Sequence, residues 1–102
     1  MSAKPLDTGK NILVAHLTAV EGKEQDLANI LKNIAKHSNS EAEPGCLTYR
    51  VTQHGNKFVV FEEYVDATAV DAHFKTDLFK VLQSAIQKKD VENLDIKYYQ
   101  EI

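Results

Sequence analysis

Glu43-Pro44-Gly45-Cys46-Leu47-Thr48-Tyr49, followed by Phe58-Val59-Val60-Phe61-Glu62-Glu63-Tyr64 and then Asp71-Ala72-His73-Phe74, sets a helix exit, a hairpin and a histidine-bearing helix in one order. Cys46 to Gln53 alternates Leu47, Tyr49 and Val51 with Thr48, Arg50 and Thr52, which is the period of a strand. His54-Gly55-Asn56 supplies the Gly-Asn pair that tight hairpins favour, and Lys57 to Val65 returns as a second strand. Asp66 precedes an alanine-rich segment and reads as a helix N-cap.

Upstream, Ile12 to Ala19 is a β-rich run that is apolar on nearly both parities, as in a strand buried on two faces. From Lys23 to about Ser38, Leu27, Ile30, Leu31 and Ile34 recur at helical spacing, with acid in the first turn and base in the last. A short helix runs to about Phe74, and a second segment carries Leu78, Phe79, Val81, Leu82 and Ile86 to Lys88. Leu94 to Tyr99 alternates again and closes the sheet. The order is a β-α-β-β-α-β unit of the split βαβ kind, an α+β ferredoxin-like fold with a four-stranded antiparallel sheet. Residues 1–10 lack periodicity and read as a flexible N-terminal arm, and 11–102 read as one domain.

A chain of 102 residues holds one core, and a net charge of -3 with no basic run argues against nucleic acid or an anionic membrane as partner. Lys57 to Phe61 superficially suggests the aromatic strand of RNA-recognition domains, but it lacks the interleaved glycines of that motif. The longest apolar runs fall far short of the roughly 20 residues that cross a bilayer. With a single cysteine and no signal sequence, the expected location is the cytoplasm. Two helices cover one face of a four-stranded sheet, whereas strands one and three look apolar on both. The expected occupant of the other face is a second copy, the two sheets packing about 10 Å apart in a homodimer.

The order and spacing of Glu43-Pro44-Gly45-Cys46-Leu47, Phe61-Glu62-Glu63-Tyr64 and Ala72-His73-Phe74, with Phe79 following, resemble the antibiotic biosynthesis monooxygenase domain, and its quinol monooxygenase-like members most. The resemblance spans about Ile12 to Tyr99. It implies a dimeric α+β barrel and, as chemistry, oxygenation of a small hydroxylated aromatic, of quinol or anthrone type, by O2 without metal, flavin or haem. Where haem-degrading relatives carry Asn, Trp and His, this chain holds Ala15, Tyr64 and Gln83, so haem ligation is not implied. An isomerase of small carbonyl compounds would need a second histidine where Leu78 stands. A non-catalytic ligand-binding or stress-related protein of the same fold is the other alternative.

Cofactor-free oxygenation needs a base and an apolar pocket, because the deprotonated substrate is itself the reductant. His73 is the natural base near neutral pH, on or near the inward stripe of its helix; the structural alternative is a half-buried histidine that bonds backbone. Glu62 and Tyr64 share a strand face with Phe58 and Val60, and the resemblance turns that face toward the helices. Glu62 either orients His73 or a substrate hydroxyl, or pairs with Arg50 or a lysine at a strand end. Tyr64 either meets the aromatic substrate or reaches the rim. Tyr49, Phe74 and Phe79 are the expected substrate-binding residues. His16 is assigned to the dimer interface, and His37 and His54 to solvent. No histidines at ligand spacing suggest a metal, and Cys46 reads as a small hydrophobe.

Overall fold

Leu13, Ala15, Leu17 and Ala19 alternate with Val14, His16 and Thr18, and a period of two puts the first set on one sheet face and the second on the other. A computed structural model describes residues 4–102. It places the first set, all buried, on β1 (Asn11–Ala19), beneath the helices, with His16 exposed on the far side. The elements that follow are α1 (Glu24–Ser38), β2 (Cys46–His54), β3 (Lys57–Tyr64), α2 (Ala67–Phe74), α3 (Asp77–Gln87) and β4 (Val91–Tyr99). Of the N-terminal arm expected over 1–10, residues 1–3 lie outside the described residues. Residues 4–10 form no helix or strand, and Leu6 donates its backbone N–H to the buried Asn11 side chain at 2.6 Å.

The sheet is antiparallel in the order β2-β3-β1-β4. Leu13 lies opposite Glu62 on one side and Tyr98 on the other, and Tyr49 lies opposite Glu62. The same parity therefore buries Phe58, Val60, Glu62 and Tyr64 against the helices. Gly55 begins the β2–β3 loop at φ 61°, the positive angle that a tight hairpin needs at its first position and that glycine adopts without strain.

Two parts of the expected fold are corrected. The sheet is not closed into a barrel: β2 and β4 are its outer strands, with β3 and β1 between them, and a closed barrel needs about eight strands to make room for its side chains. The second helical unit is two helices, so the order is β-α-β-β-α-α-β. The break comes from Thr76. Its hydroxyl accepts the Phe79 N–H at 3.2 Å, starting α3, and donates to the His73 carbonyl at 2.9 Å, finishing α2. Asp66 caps α2 as the sequence predicts, accepting the Ala69 N–H at 2.9 Å. Among the described residues no helix is long and apolar enough to cross a membrane.

The loop between α1 and β2 passes close beneath α2. A Cβ built on Gly45 would come within 2.6 Å of the Ala69 Cβ, closer than two carbons can approach. Gly45→Ala is therefore expected to destabilise the protein by about 1–3 kcal/mol, the usual penalty for overpacking. Urea denaturation checks this, and an unchanged midpoint would mean that the loop and α2 are not held at this separation.

Candidate functional site

α2 places Ala69, Val70 and His73 on its buried face, His73 falling four and three residues after the other two along the inward stripe. His73 is 1 % exposed, and its ring sits among Tyr49, Tyr64, Phe74 and Phe79 with centroids 5.3 to 5.7 Å away. Its Nδ1 lies 2.7 Å from Oε2 of Glu43, a buried residue of the α1–β2 loop. A carboxylate only accepts, so Nδ1 carries the hydrogen and Nε2 presents a lone pair. That Nε2 is buried without a hydrogen-bond partner, and the nearest carboxyl oxygen to it is Glu62 Oε1 at 3.8 Å.

The loop holding Glu43 is tied down at both ends. Asn39, just beyond α1, exchanges two 2.9 Å hydrogen bonds with the backbone of Tyr49, and Cys46 donates its N–H to the Glu43 carbonyl. The Glu43 carboxylate accepts from Ser38 Oγ at 3.0 Å and meets His37 Nδ1 at 3.1 Å. A buried carboxylate without such partners would cost several kcal/mol.

Glu62 accepts the Tyr64 hydroxyl hydrogen at 2.5 Å. Burial raises its pKa from 4.5 to about 8, with Glu43 adding in the same direction and the Tyr64 hydrogen bond opposing. At neutral pH the group is a carboxylic acid. Burial moves His73 the other way, below 6.5, against the pull of Glu43, so the imidazole is neutral. Burial also drives the Tyr64 and Tyr49 hydroxyls well above their ordinary value and the Cys46 thiol up to about 12, so none of the three ionises near neutrality. The site thus holds one acid, Glu62, beside one empty acceptor, His73 Nε2.

Between the sheet and α3 lies an apolar cavity of about 30 Å³, where α3 packs on α1 and stands off from β4. Glu62 and Tyr49 are its polar lining residues, and Phe74, Phe79, Leu94 and Ile96 are among the apolar ones. His73 and Tyr64 sit behind Glu62 and do not line it.

All three residues assigned from sequence to catalysis, His73, Tyr64 and Glu62, meet in one cluster. Tyr49, Phe74 and Phe79 all reach the cavity wall. The salt bridge from Glu62 to Arg50 does not form, because Arg50 is exposed on the opposite face. Sequence reasoning missed Glu43, Ser38 and His37 as members of the site. A carboxylate beside Pro44-Gly45 reads as part of a turn, and the available hint was that an acidic residue stood inside the matched motif. Among the described residues no group of three or more His, Cys, Asp or Glu side chains is disposed to hold a metal ion.

Proton linkage gives a direct check. Because the folded-state pKa of Glu62 is raised from 4.5 to about 8, its contribution to stability is complete below 4.5 and is lost as pH rises through about 8. His73 has the opposite sign, its contribution being present above 6.5 and lost as pH falls through its lowered value. From about pH 7 to 9 the difference between wild type and Glu62→Gln isolates Glu62. Wild type is expected to lose about 1 kcal/mol of stability relative to the variant across that window, most of it below pH 8, measured by urea denaturation. Parallel curves would mean that Glu62 titrates normally.

The model of the antibiotic biosynthesis monooxygenase family matches residues 12–85, from the start of β1 to the last turn of α3. No curated protein matches the chain. Among solved structures, a protein of Shewanella oneidensis has a TM-score of 0.81 at 22% identity, covering 96% of this chain and 95% of that one. A Caulobacter crescentus protein carrying the same family description has a TM-score of 0.81 at 25% identity, with 94% and 92% covered. A Pseudomonas aeruginosa protein has a TM-score of 0.81 at 25% identity, with 95% and 98% covered. With residues 12–85, most of its length, matched by the family model, the chain belongs to the antibiotic biosynthesis monooxygenase family.

Proposed function

We propose that the chain is a monooxygenase that oxidises a small hydroxylated aromatic, of quinol or anthrone type, with O2 and without metal, flavin or haem. The observation that carries this reading is the Glu62 carboxyl at the wall of an apolar cavity, with the unpartnered Nε2 of His73 behind it. Glu62 takes the substrate hydroxyl proton as its own proton passes to His73 Nε2, and the Glu43 carboxylate stabilises the imidazolium that forms. The 3.8 Å gap closes in the substrate complex, as acid–base contacts often tighten on binding. This shifts the role of direct base from His73 to Glu62, with His73 as the proton's second acceptor.

The phenolate so formed is the reductant. It passes one electron to O2, and the radical and superoxide combine into a C–O bond. The peroxide takes back the proton; O–O cleavage then releases hydroxide as the ring C–H proton leaves to the base, and the base hands that proton to the hydroxide, giving water and the quinone. Ionising the substrate inside an apolar site makes its electron easier to remove, which is the protein's contribution.

A cavity of about 30 Å³ accommodates a diatomic gas or a water. An aromatic substrate needs several hundred Å³. The substrate therefore enters by moving α3 away from β4, at the half-exposed Leu94. The same small apolar cavity favours a second reading, a small-ligand carrier without turnover. Oxygen uptake by metal-free protein with hydroquinones, anthrones and naphthalenediols separates the two. Saturable uptake is expected, with Glu62→Gln and His73→Ala each lowering it about 10²–10⁴-fold while remaining folded. No uptake above autoxidation would leave the carrier.

The open sheet face carries Val14, Val59 and Phe61 at its centre, with Val59 exposed. We propose that a second copy covers it. Light scattering is expected to give twice the chain mass, falling to the monomer in Val59→Glu; a wild-type monomer at micromolar concentration would refute the pairing.

A further inference from the structure

His73 is 1 % exposed, Glu62 4 % and Tyr64 0 %, and the cavity beyond Glu62 is lined mostly by hydrocarbon, so the acid–base groups are screened from bulk solvent. One chain of contacts does reach the surface. His73 Nδ1 is 2.7 Å from Glu43 Oε2, and the other oxygen of the same carboxylate is 3.1 Å from Nδ1 of His37. The His37 side chain is one-third exposed. Its ring lines an open surface depression of about 420 Å³ with Asn33, Lys36, Ser40 and Leu78.

We propose that His37 is the port through which protons pass between solvent and the buried Glu43–His73–Glu62 network, an inference that rests on reading that network as the acid–base apparatus. A proton arriving at Nε2 of His73 releases the one on Nδ1 to Glu43 Oε2. The protonated carboxyl then turns about its Cγ–Cδ bond and delivers that proton to Nδ1 of His37 in the tautomer whose hydrogen is on Nε2; the imidazolium loses its Nε2 proton to water, and exchange with solvent returns the exposed ring to its starting tautomer. Each group passes on one proton for each it receives. Ser38 Oγ, bonded to Glu43 and 3.4 Å from His73 Nδ1, steadies the carboxylate between the two rings. The charged groups facing His37 are Glu43 from the loop and Lys36 from its own helix, while α3 contributes only the apolar Leu78 to the depression. Among the described residues Glu43 is therefore the only carboxylate that the contacts offer to His37.

The proposed chemistry requires such a route. A quinol and O2 give a hydroxyquinone and water. The hydroxyquinone is a vinylogous carboxylic acid and departs as its anion, which leaves one proton on the network at each turnover. That proton must leave before Glu62 and His73 regain their starting states.

The test measures exchange of the His73 Nδ1 proton with solvent, by NMR of the resting protein with ¹⁵N-labelled imidazoles. His37→Gln keeps a polar side chain but carries no proton, and His37→Ala opens the depression to a small base. Exchange is expected to slow about tenfold or more in both variants, the scale of losing one proton-transfer group. Added imidazole is expected to restore the His37→Ala rate but not the His37→Gln rate. Wild-type exchange no faster than that of the folded His37→Gln protein would overturn the proposal. Because no substrate is present, absent oxygen uptake would count against the monooxygenase reading alone, whereas unchanged exchange would count against the port alone.

Discussion

The hydrogen bond from His73 to Glu43 is the contact on which the site depends, because it fixes which imidazole nitrogen is empty. Glu43 takes the Nδ1 hydrogen, so the lone pair of Nε2 faces Glu62. Without that carboxylate the ring would be free to adopt the other tautomer. Breaking one partner out of a buried charged cluster typically costs about 3–5 kcal/mol, so the same contact that sets the chemistry also holds α2 to the α1–β2 loop. Gly45, two residues on, lets that loop pass under Ala69, and Asn39 pins its start to β2.

The network sets two shifted groups against each other. Burial disfavours charge on both, holding Glu62 protonated and His73 neutral, and Glu43 opposes the effect at His73 while adding to it at Glu62. Both shifts resist moving the proton from Glu62 to His73, so the transfer waits for a further bias. A substrate hydroxyl approaching Glu62 through the cavity supplies it. Such pairs, pushed apart by their surroundings, mark acid–base assignments more surely than the presence of a histidine.

Much of this was legible in the chain. Parity along β3 put Phe58, Val60, Glu62 and Tyr64 on one face, and a carboxylate there stood out because burial is costly unless it is answered. Asp66 announced α2, and helical spacing with the family motif singled out His73. What periodicity could not convey was contact across the fold. Glu43 lies thirty positions before His73 in a turn-like segment, and His37 and Ser38 end a helix where polar residues ordinarily meet water. The barrel was carried by the resemblance and not by the chain's own strands, which form an open sheet. Thr76 followed by Asp77 did carry a helix start, yet its effect was to split a unit that the expected fold class counted as one helix. The cavity's small size depends on how Phe74 and Phe79 pack, 4.7 Å apart between ring centroids, and no one-dimensional pattern encodes that.

The most direct measurement is the NMR titration of the Glu62 side-chain carboxyl carbon, assigned by comparison with Glu62→Gln, alongside the ¹⁵N shifts of His73. A carboxylic acid at pH 7 that titrates near 8, beside a neutral His73 with its hydrogen on Nδ1, is the expected result. Glu62 titrating at its ordinary 4.5, or His73 carrying its hydrogen on Nε2, would contradict the arrangement from which the chemistry is derived.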